Sequence, residues 1–313
     1  FQNSLALLFT QSYYLNQMSP SKKLAIIIVN WKQYDLTKKC LLSINKTKFN
    51  NYKIILVDNE SSEKKLNVLL NDFNNLKVIR NKLNLGFGVA NNQAITYALE
   101  NNYDYVMLLN NDTEVDQNFI SPLINCIEKN NSIGGVQPLI MNYNKRDLIW
   151  SAGGYLNKFF GNTTTNKSLE KKLDLDWITG CCMLLKTEVI KKTKLLDENF
   201  FAYYEDVDWS LRIKDLGYSL QLVETSLIYH HGSISSNNST SEGRLSAYVH
   251  YLNFKNHIYF LRKHIEKFNF FGVVLYQLMK LISYSIYFIL RFRFNKLKMI
   301  YKGLIDGMKI KTS

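Results

Sequence analysis

Residues 105–113 read YVMLLNNDT: a continuous apolar run over 106–109 that stops abruptly at Asn110-Asn111-Asp112. A short apolar run without polar alternation, bounded by turn residues, suits a strand buried on both faces, as in sheets covered by helices. In an open α/β sheet, ligands gather beyond the carboxyl ends of such strands. Asp112, with two amides beside it, therefore has two available roles. It can hold a hard divalent cation that in turn holds phosphate oxygens, or Asp112 or Thr113 can cap a following helix.

The same pattern occurs upstream. Residues 24–29 (LAIIIV) end in Asn30-Trp31, residues 53–57 (KIILV) in Asp58-Asn59, and residues 76–79 in Arg80-Asn81. Between these runs lie helical spacings. Leu36, Cys40, Leu41 and Ile44 fall on one face, and Leu66, Leu69 and Leu70 on another, with Ser61 or Ser62 as cap. Residues 86–99 open as a glycine-containing loop and continue with Ala90, Ala94 and Ala98, small enough for close packing. The alternation predicts an α/β fold with a doubly wound, mostly parallel sheet. After Asp112 the spacing predicts a helix over 119–129, a strand over 134–140, a loop-rich or hairpin insertion over 141–176, and apolar strands over 177–186 and 220–231. The domain reading is an uncertain leader at 1–21, a core domain at 22–232, a Ser/Asn-rich linker at 233–243 and a helical C-terminal region at 244–313.

The 313 residues, 46% of them hydrophobic, suffice for one large core with an appendage. The net charge of +13 suits nucleic acid, an anionic membrane face or phosphorylated substrates. Without zinc-finger spacing or an RNP-type aromatic strand, nucleic acid is set aside as a partner. Cys40, Cys126, Cys181 and Cys182 lack zinc spacing and form a poor disulfide framework, which points to a reducing, cytoplasmic setting. Residues 270–290 are apolar and long enough to cross a bilayer. However, Gln277, Lys280 and Tyr284 form a polar stripe, and Arg291, Arg293, Lys296 and Lys298 follow at once. This favours a helix lying on an anionic leaflet, with a span or a buried core helix as the alternatives.

Parallel strands bring Asn30, Asp58 and Asn110-Asn111-Asp112 to one sheet edge. Asp58 there can accept from a nucleobase imide N–H or a ribose hydroxyl, or simply cap the next helix. The segment Asn84-Leu-Gly-Phe-Gly-Val-Ala-Asn91-Asn92 narrowly misses the dinucleotide pattern, since Asn91 replaces its third glycine and the loop follows the third strand. Gly86 before a helix N-terminus can still approach phosphate. Glu205, Asp206 and Asp208 crowd together, so at least one pKa should rise, as a general base requires, and Arg212 can pin one carboxylate. His230-His231 ends a strand and supplies either a metal ligand or a surface histidine.

Taken in order, Asn30-Trp31, Val57-Asp58-Asn59, Asn84-Leu-Gly-Phe87, Ala90-Asn-Asn92, Leu109-Asn-Asn-Asp-Thr113, Trp177-Ile-Thr-Gly180, Glu205-Asp-Val-Asp208 and His230-His-Gly232 resemble the family 2 glycosyltransferases of the GT-A fold, especially the rhamnosyltransferase-like branch. The resemblance runs over residues 24–262. It implies inverting transfer of a sugar from a nucleoside diphosphate donor, assisted by Mg²⁺ or Mn²⁺. By position it implies donor contacts from Asn30, Asp58, Arg80, Gly86, Asn91, Asn110 and Asn111, and a metal site at Asp112 and His230, with His231 the neighbouring alternative. Asn110 stands where the family's DxD motif has its first aspartate, which should weaken metal affinity. Asp206, with Glu205, matches the catalytic base, and Trp177, Gly180 and Asp208 the acceptor side. The branch implies L-rhamnose from dTDP-rhamnose passing to a lipid-linked cell-surface glycan at the cytoplasmic face of the plasma membrane. The protein would be held there peripherally or by its C-terminal helices. Transfer of another hexose or N-acetylhexosamine, or a silent nucleotide-sugar-binding subunit, are the competing readings.

Overall fold

The computed structural model describes residues 22–60, 62–73, 75–170, 175–232 and 245–312. The expected leader 1–21, the linker 233–243 and Ser61 as a cap lie outside the described residues. In chain order the elements are β1 (Leu24–Asn30), α1 (Tyr34–Ile44), β2 (Tyr52–Asn59), α2 (Glu63–Asn71), β3 (Leu76–Asn81), α3 (Gly86–Glu100), β4 (Tyr105–Leu109), β5 (Thr113–Val115), α4 (Ile120–Glu128), β6 (Ile133–Asn142), β7 (Ile149–Ser151), β8 (Gly154–Asn157), β9 (Asn162–Thr165), β10 (Cys182–Lys186), α5 (Thr187–Thr193), α6 (Glu205–Asp215), β11 (Ser219–His230), α7 (Ala247–Lys263), α8 (Phe270–Leu290) and α9 (Phe294–Lys309).

The sheet order is β3-β2-β1-β4-β10-β6-β11-β5, with β7 added to β6. Strands β3, β2, β1 and β4 are parallel, as the alternation predicts. The sheet as a whole is mixed, because β10 enters antiparallel between β4 and β6, and β5 closes the far edge antiparallel to β11. Residues 177–181 form the approach to β10 and not part of it. The insertion contributes the hairpin β8–β9.

Alternation along β1 sends Leu24, Ile26 and Ile28 to a layer shared with Cys40, Leu41 and Ile44 of α1 and Leu123 of α4. Ala25 and Ile27 face the other way, toward Ala90, Ala94 and Ala98 of α3. Those alanines let α3 lie close to the sheet, and each large aliphatic side chain fully buried in such layers contributes about 1.5–3 kcal/mol.

The helices after 244 do not stand apart from this core. Tyr259, Phe260 and Leu261 of α7 pack with Trp177, Phe200, Val207 and Leu211. The polar stripe of α8 faces inward as well: Lys280 Nζ lies 3.0 Å and Gln277 Nε2 3.4 Å from His257 Nδ1 of α7. The stripe therefore seals α8 to the protein, and the outward face is apolar, with Leu275, Leu278, Met279, Ile282 and Ile286 exposed. Among the described residues α8 is the one helix long and apolar enough to cross a membrane.

Candidate active site

The carboxyl ends of the parallel strands meet in register, with Asn30 beside Asp58 and Asp58 beside Arg80. Asp58 is fully buried: Oδ1 accepts from Asn30 Nδ2 at 2.6 Å and Oδ2 from the Tyr34 hydroxyl at 3.0 Å. Asn30 Oδ1 accepts from Thr37 Oγ1 at 2.9 Å and from Asn111 Nδ2 at 3.4 Å. This amide–carboxylate lattice binds β1, β2 and the 110–112 turn together beneath a cavity of about 820 Å³. A volume of that order suits a ligand larger than a single sugar.

Of the residues singled out from the sequence, Gly86, Asn110, Asn111, Asp112, Trp177, Gly180, Glu205, Asp206 and His230 line the cavity. Asn30 and Asp58 lie behind its wall, where Val29, Trp31 and Asn59 are the lining residues. Arg80 is turned toward Glu63, 3.9 Å away on the surface. The Asn91 amide folds back onto the Phe87 carbonyl of its own helix at 2.9 Å. Asp208 is the clearest correction to the acceptor assignment. It is fully buried away from the cavity, bonded to Arg212 Nε at 2.9 Å, Lys263 Nζ at 2.8 Å and His264 Nε2 at 2.9 Å. Burial raises its pKa, but the His264 bond and the Arg212 and Lys263 charges outweigh that and hold it at about 2. Its position follows from helical geometry: two residues past Asp206, its side chain points to the opposite side of α6, toward α7.

Gly86 is required on two grounds. Its φ of +85° is left-handed, and a Cβ there would stand 2.5 Å from the Phe201 carbonyl oxygen. That carbonyl accepts from Phe87 N at 2.7 Å, and Asn84 Oδ1 accepts from Gly86 N at 2.9 Å. Gly86→Ala is expected to cost roughly 2–4 kcal/mol, read as a lowered denaturant midpoint. A loss below about 1 kcal/mol would contradict this packing.

Antiparallel pairing of β11 with β5 sets His230 opposite Thr113. His230 Nε2 then lies 3.0 Å from Asp112 Oδ1 and 3.4 Å from Asn110 Nδ2, with the Trp150 ring edge-on at 4.3 Å. His231 points to the other side of the strand and stacks on Tyr143 at 3.5 Å. Only its main-chain N–H reaches the Asp112 carbonyl. Among the described residues His230 Nδ1 is buried with no hydrogen-bond partner. The pair lies at hydrogen-bond distance, 3.0 Å, and its carboxylate oxygen and imidazole nitrogen would serve as two ligands to a divalent cation. Among the described residues no third His, Cys, Asp or Glu joins them. That leaves coordination positions for phosphate oxygens and water, and the pair fits Mg²⁺ or Mn²⁺.

On the facing wall, α6 begins after two consecutive left-handed residues, Tyr203 (φ 74°) and Tyr204 (φ 75°). Each such non-glycine conformation costs of order 1–3 kcal/mol and persists only when its surroundings hold it. Asn256 of α7 holds this one, donating Nδ2 to the carbonyls of Ala202 at 2.7 Å and Tyr203 at 2.9 Å. Tyr204 stacks on His257 at 5.1 Å. The result presents Asp206 at the helix N-terminus, with Oδ2 accepting from Gly180 N at 2.9 Å and Oδ1 from Val207 N at 2.9 Å.

Burial raises both carboxyl groups, and the adjacent Asp206 charge pushes Glu205 well above the ordinary range. The two N–H donors oppose the rise at Asp206, whereas Glu205 Oε2 is buried without a partner among the described residues. The proton therefore belongs to Glu205 and the charge to Asp206. Because the folded state binds the Glu205 proton more tightly than the unfolded chain, its contribution to stability is complete below the ordinary carboxylate pKa. It is lost as pH rises through the raised value. Glu205→Gln should remove that loss, so the variant's Tm falls less steeply than the wild type's as pH increases. Parallel Tm–pH curves would place the proton elsewhere.

Several cavity residues carried no sequence signal. Tyr248, Val249, Leu252 and Asn253 come from α7, beyond the expected domain boundary. Trp150, one of several aromatics in the polar insertion, lines the cavity from that side.

The profile of glycosyl transferase family 2 matches residues 25–193, more than half of the chain. The chain belongs to glycosyl transferase family 2. Among relatives, it is 28% identical over 195 residues to the low-salt glycan biosynthesis hexosyltransferase Agl10 of Haloferax volcanii, covering 61% of each chain. It is 22% identical over 237 residues to the N-acetylglucosaminyl-diphospho-decaprenol L-rhamnosyltransferase of Mycobacterium tuberculosis, covering 68% of this chain and 77% of that one. The rhamnosyltransferase WbbL of Escherichia coli is 26% identical over 212 residues, covering 63% and 79%. Among solved structures, GalNAc-T7 with UDP, GalNAc and Mn²⁺ has a TM-score of 0.62 at 18% identity over 78% of this chain. The mannosyltransferase PcManGT of Pyrobaculum calidifontis, with GDP-Man and Mn²⁺, has 0.56 at 9% over 98%. The chain thus spans 61% of the length of the haloarchaeal relative and 48% of the GalNAc-T7 chain. The likeness to these structures establishes a GT-A-like fold for this family 2 chain.

Proposed function

We propose that this family 2 chain is an inverting glycosyltransferase that moves a sugar from a nucleoside diphosphate donor to a hydroxyl of a lipid-linked glycan. One observation carries the reading: the Asp206 carboxylate and the Asp112–His230 pair face a single cavity. Asp206, charged and oriented by Gly180 N–H, accepts the proton of the acceptor hydroxyl. The acceptor oxygen forms its bond to the anomeric carbon as the bond to the diphosphate breaks on the opposite face, so the configuration inverts. Protonated Glu205 keeps a second negative charge from the attacking oxygen. Asp112 and His230 would hold Mg²⁺ or Mn²⁺, and that ion, when bound, offsets the charge that develops on the leaving diphosphate. The Mn²⁺ in two neighbouring structures supports this choice of cofactor.

The names of the mycobacterial and E. coli relatives favour rhamnose as the sugar, with dTDP-rhamnose the donor that the sequence resemblance implies, and the diphospho-decaprenol in the former favours a polyprenyl-linked acceptor. The name of the haloarchaeal relative keeps another hexose in contention. The exposed apolar face of α8, followed by Arg291, Arg293 and Lys298, supports peripheral attachment to an anionic leaflet at the cytoplasmic face. The test is nucleotide release from a panel of nucleotide sugars with Mg²⁺ or Mn²⁺, with and without polyprenyl-diphosphate saccharide. Turnover of one donor, lost in chelator, supports transfer. A thermal shift with nucleoside diphosphate but no turnover on any donor and acceptor would favour a silent binding subunit.

A further inference from the structure

We infer that Lys280 of α8, acting through His257 of α7, is a positioning residue for the Asp206 base, so that α8 completes the catalytic turn. The inference rests on the reading of Asp206 as the base. His257 is buried, and three separate parts of the chain meet on its ring. Its Nε2 lies 2.9 Å from the Gly161 carbonyl, at the turn between β8 and β9, which places the ring proton on Nε2. Nδ1 is then the acceptor. It takes a bond from Lys280 Nζ at 3.0 Å, with Gln277 Nε2 beside it at 3.4 Å. Burial, and after it the Lys280 charge, push the His257 pKa down to about 3, so the ring is neutral, as this pairing requires. Both ring nitrogens are engaged, and the face of the ring stacks on Tyr204 at 5.1 Å with the two planes 14° apart.

Tyr204 is the second of the two left-handed residues before α6, and backbone of that kind relaxes unless its surroundings hold it. Asn256 secures the carbonyls of Ala202 and Tyr203. The Tyr204 side chain is held by the His257 and Phe260 rings and by a bond to the Thr163 side chain of β9. The Tyr204 carbonyl accepts from Asp208 N at 2.9 Å, and Asp206 Oδ2 from Gly180 N at 2.9 Å. A shift of Tyr204 therefore moves the first turn of α6 and the base with it. Lys280 is the only charged residue of α8, and among the described residues no carboxylate pairs with it. Its ammonium lies instead 4.6 Å from the centre of the Phe254 ring. A lone cation is a costly way to seal two helices that an aliphatic side chain would seal as well. A donor serves here because the imidazole must keep one orientation, and that imidazole faces the turn that carries the base.

The test compares the full chain with Lys280→Met, His257→Phe, the double variant and the control Leu281→Ala. The control removes α8 packing against Phe254, Phe288 and Ile300 and touches none of the His257 bonds. Lys280→Met should lower kcat by about tenfold, the scale of a small misplacement, with donor KM within about twofold of wild type. His257→Phe keeps a ring on Tyr204 but no nitrogen, so adding Lys280→Met to it should cost less than about a further twofold. The double variant also removes the ammonium left without its acceptor, so it should fold even if His257→Phe does not. Hydrogen exchange reads the same coupling without a donor. The amides of Gly180 and Asp208 should exchange roughly tenfold faster in Lys280→Met and at wild-type rates in Leu281→Ala. Multiplicative losses in the double variant, or faster exchange in Lys280→Met with kcat unchanged, would overturn the positioning role. So would an equal loss of kcat in Leu281→Ala, which would reduce the effect to the stability of α8. A wild type that turns over no donor would count against the transfer reading, whereas unchanged exchange at Gly180 and Asp208 would count against this coupling alone.

Discussion

Asp206→Asn should lower turnover by about 10³-fold, within the usual range for a positioned general base, while nucleotide binding stays close to wild type. Asparagine keeps the volume and can still accept from Gly180 N, now 2.9 Å from Asp206 Oδ2, so the wall of the cavity should survive. What disappears is the site that takes the acceptor's proton. The pH profile offers an independent check. Burial raises the Asp206 pKa, so the acidic limb of wild-type kcat/KM should lie above the ordinary carboxylate range. The base works only when deprotonated, so the rate should rise with pH through that limb, and the residual rate of the asparagine variant should lack it. Retained activity, or an unchanged limb, would remove Asp206 from the role. Loss of nucleotide binding along with turnover would indicate misfolding of the Tyr203-Tyr204 turn.

Asp112→Ala should remove cation-dependent nucleotide binding and reduce turnover by roughly 10³-fold, because the carboxylate is the charged half of the Asp112–His230 pair. His230→Ala should be milder, since the charge remains. Mn²⁺ binding followed by EPR, and the shift in Tm produced by nucleoside diphosphate with and without Mn²⁺, read the effect without requiring an acceptor. Wild-type rates in excess chelator would dismiss the cation altogether. A cation effect that survives Asp112→Ala would move the site elsewhere in the cavity.

The legible part of this fold was local. Continuous apolar runs ending in Asn30, Asp58 and Asn110 identified buried strands and the edge at which they stop, and the helical spacings between them were recovered with small shifts. The crowding at 205–208 correctly implied raised carboxyl pKa values, and Arg212 does pin one carboxylate. The polar stripe on α8 was visible but its orientation was not, because periodicity identifies a distinct face without saying what covers it. His257 covers it.

By itself, then, the sequence determined which residues lie at strand ends, where apolar spacing demands burial, and that an acidic cluster crowds at 205–208. Those properties depend on neighbours a few residues apart. Tertiary structure decided the rest, through contacts between residues far apart in the chain. β5–β11 pairing brings His230 to Asp112 across 118 residues and turns His231 away. Gly180 reaches Asp206 because α6 packs beside the approach to β10. Asn256 steadies the strained turn before Asp206 from beyond the expected domain boundary. Asp208, two residues from Asp206, is instead sealed by Lys263 and His264. Side chains two apart on a helix point in different directions, and only the packing of α7 reveals which of them the cavity receives.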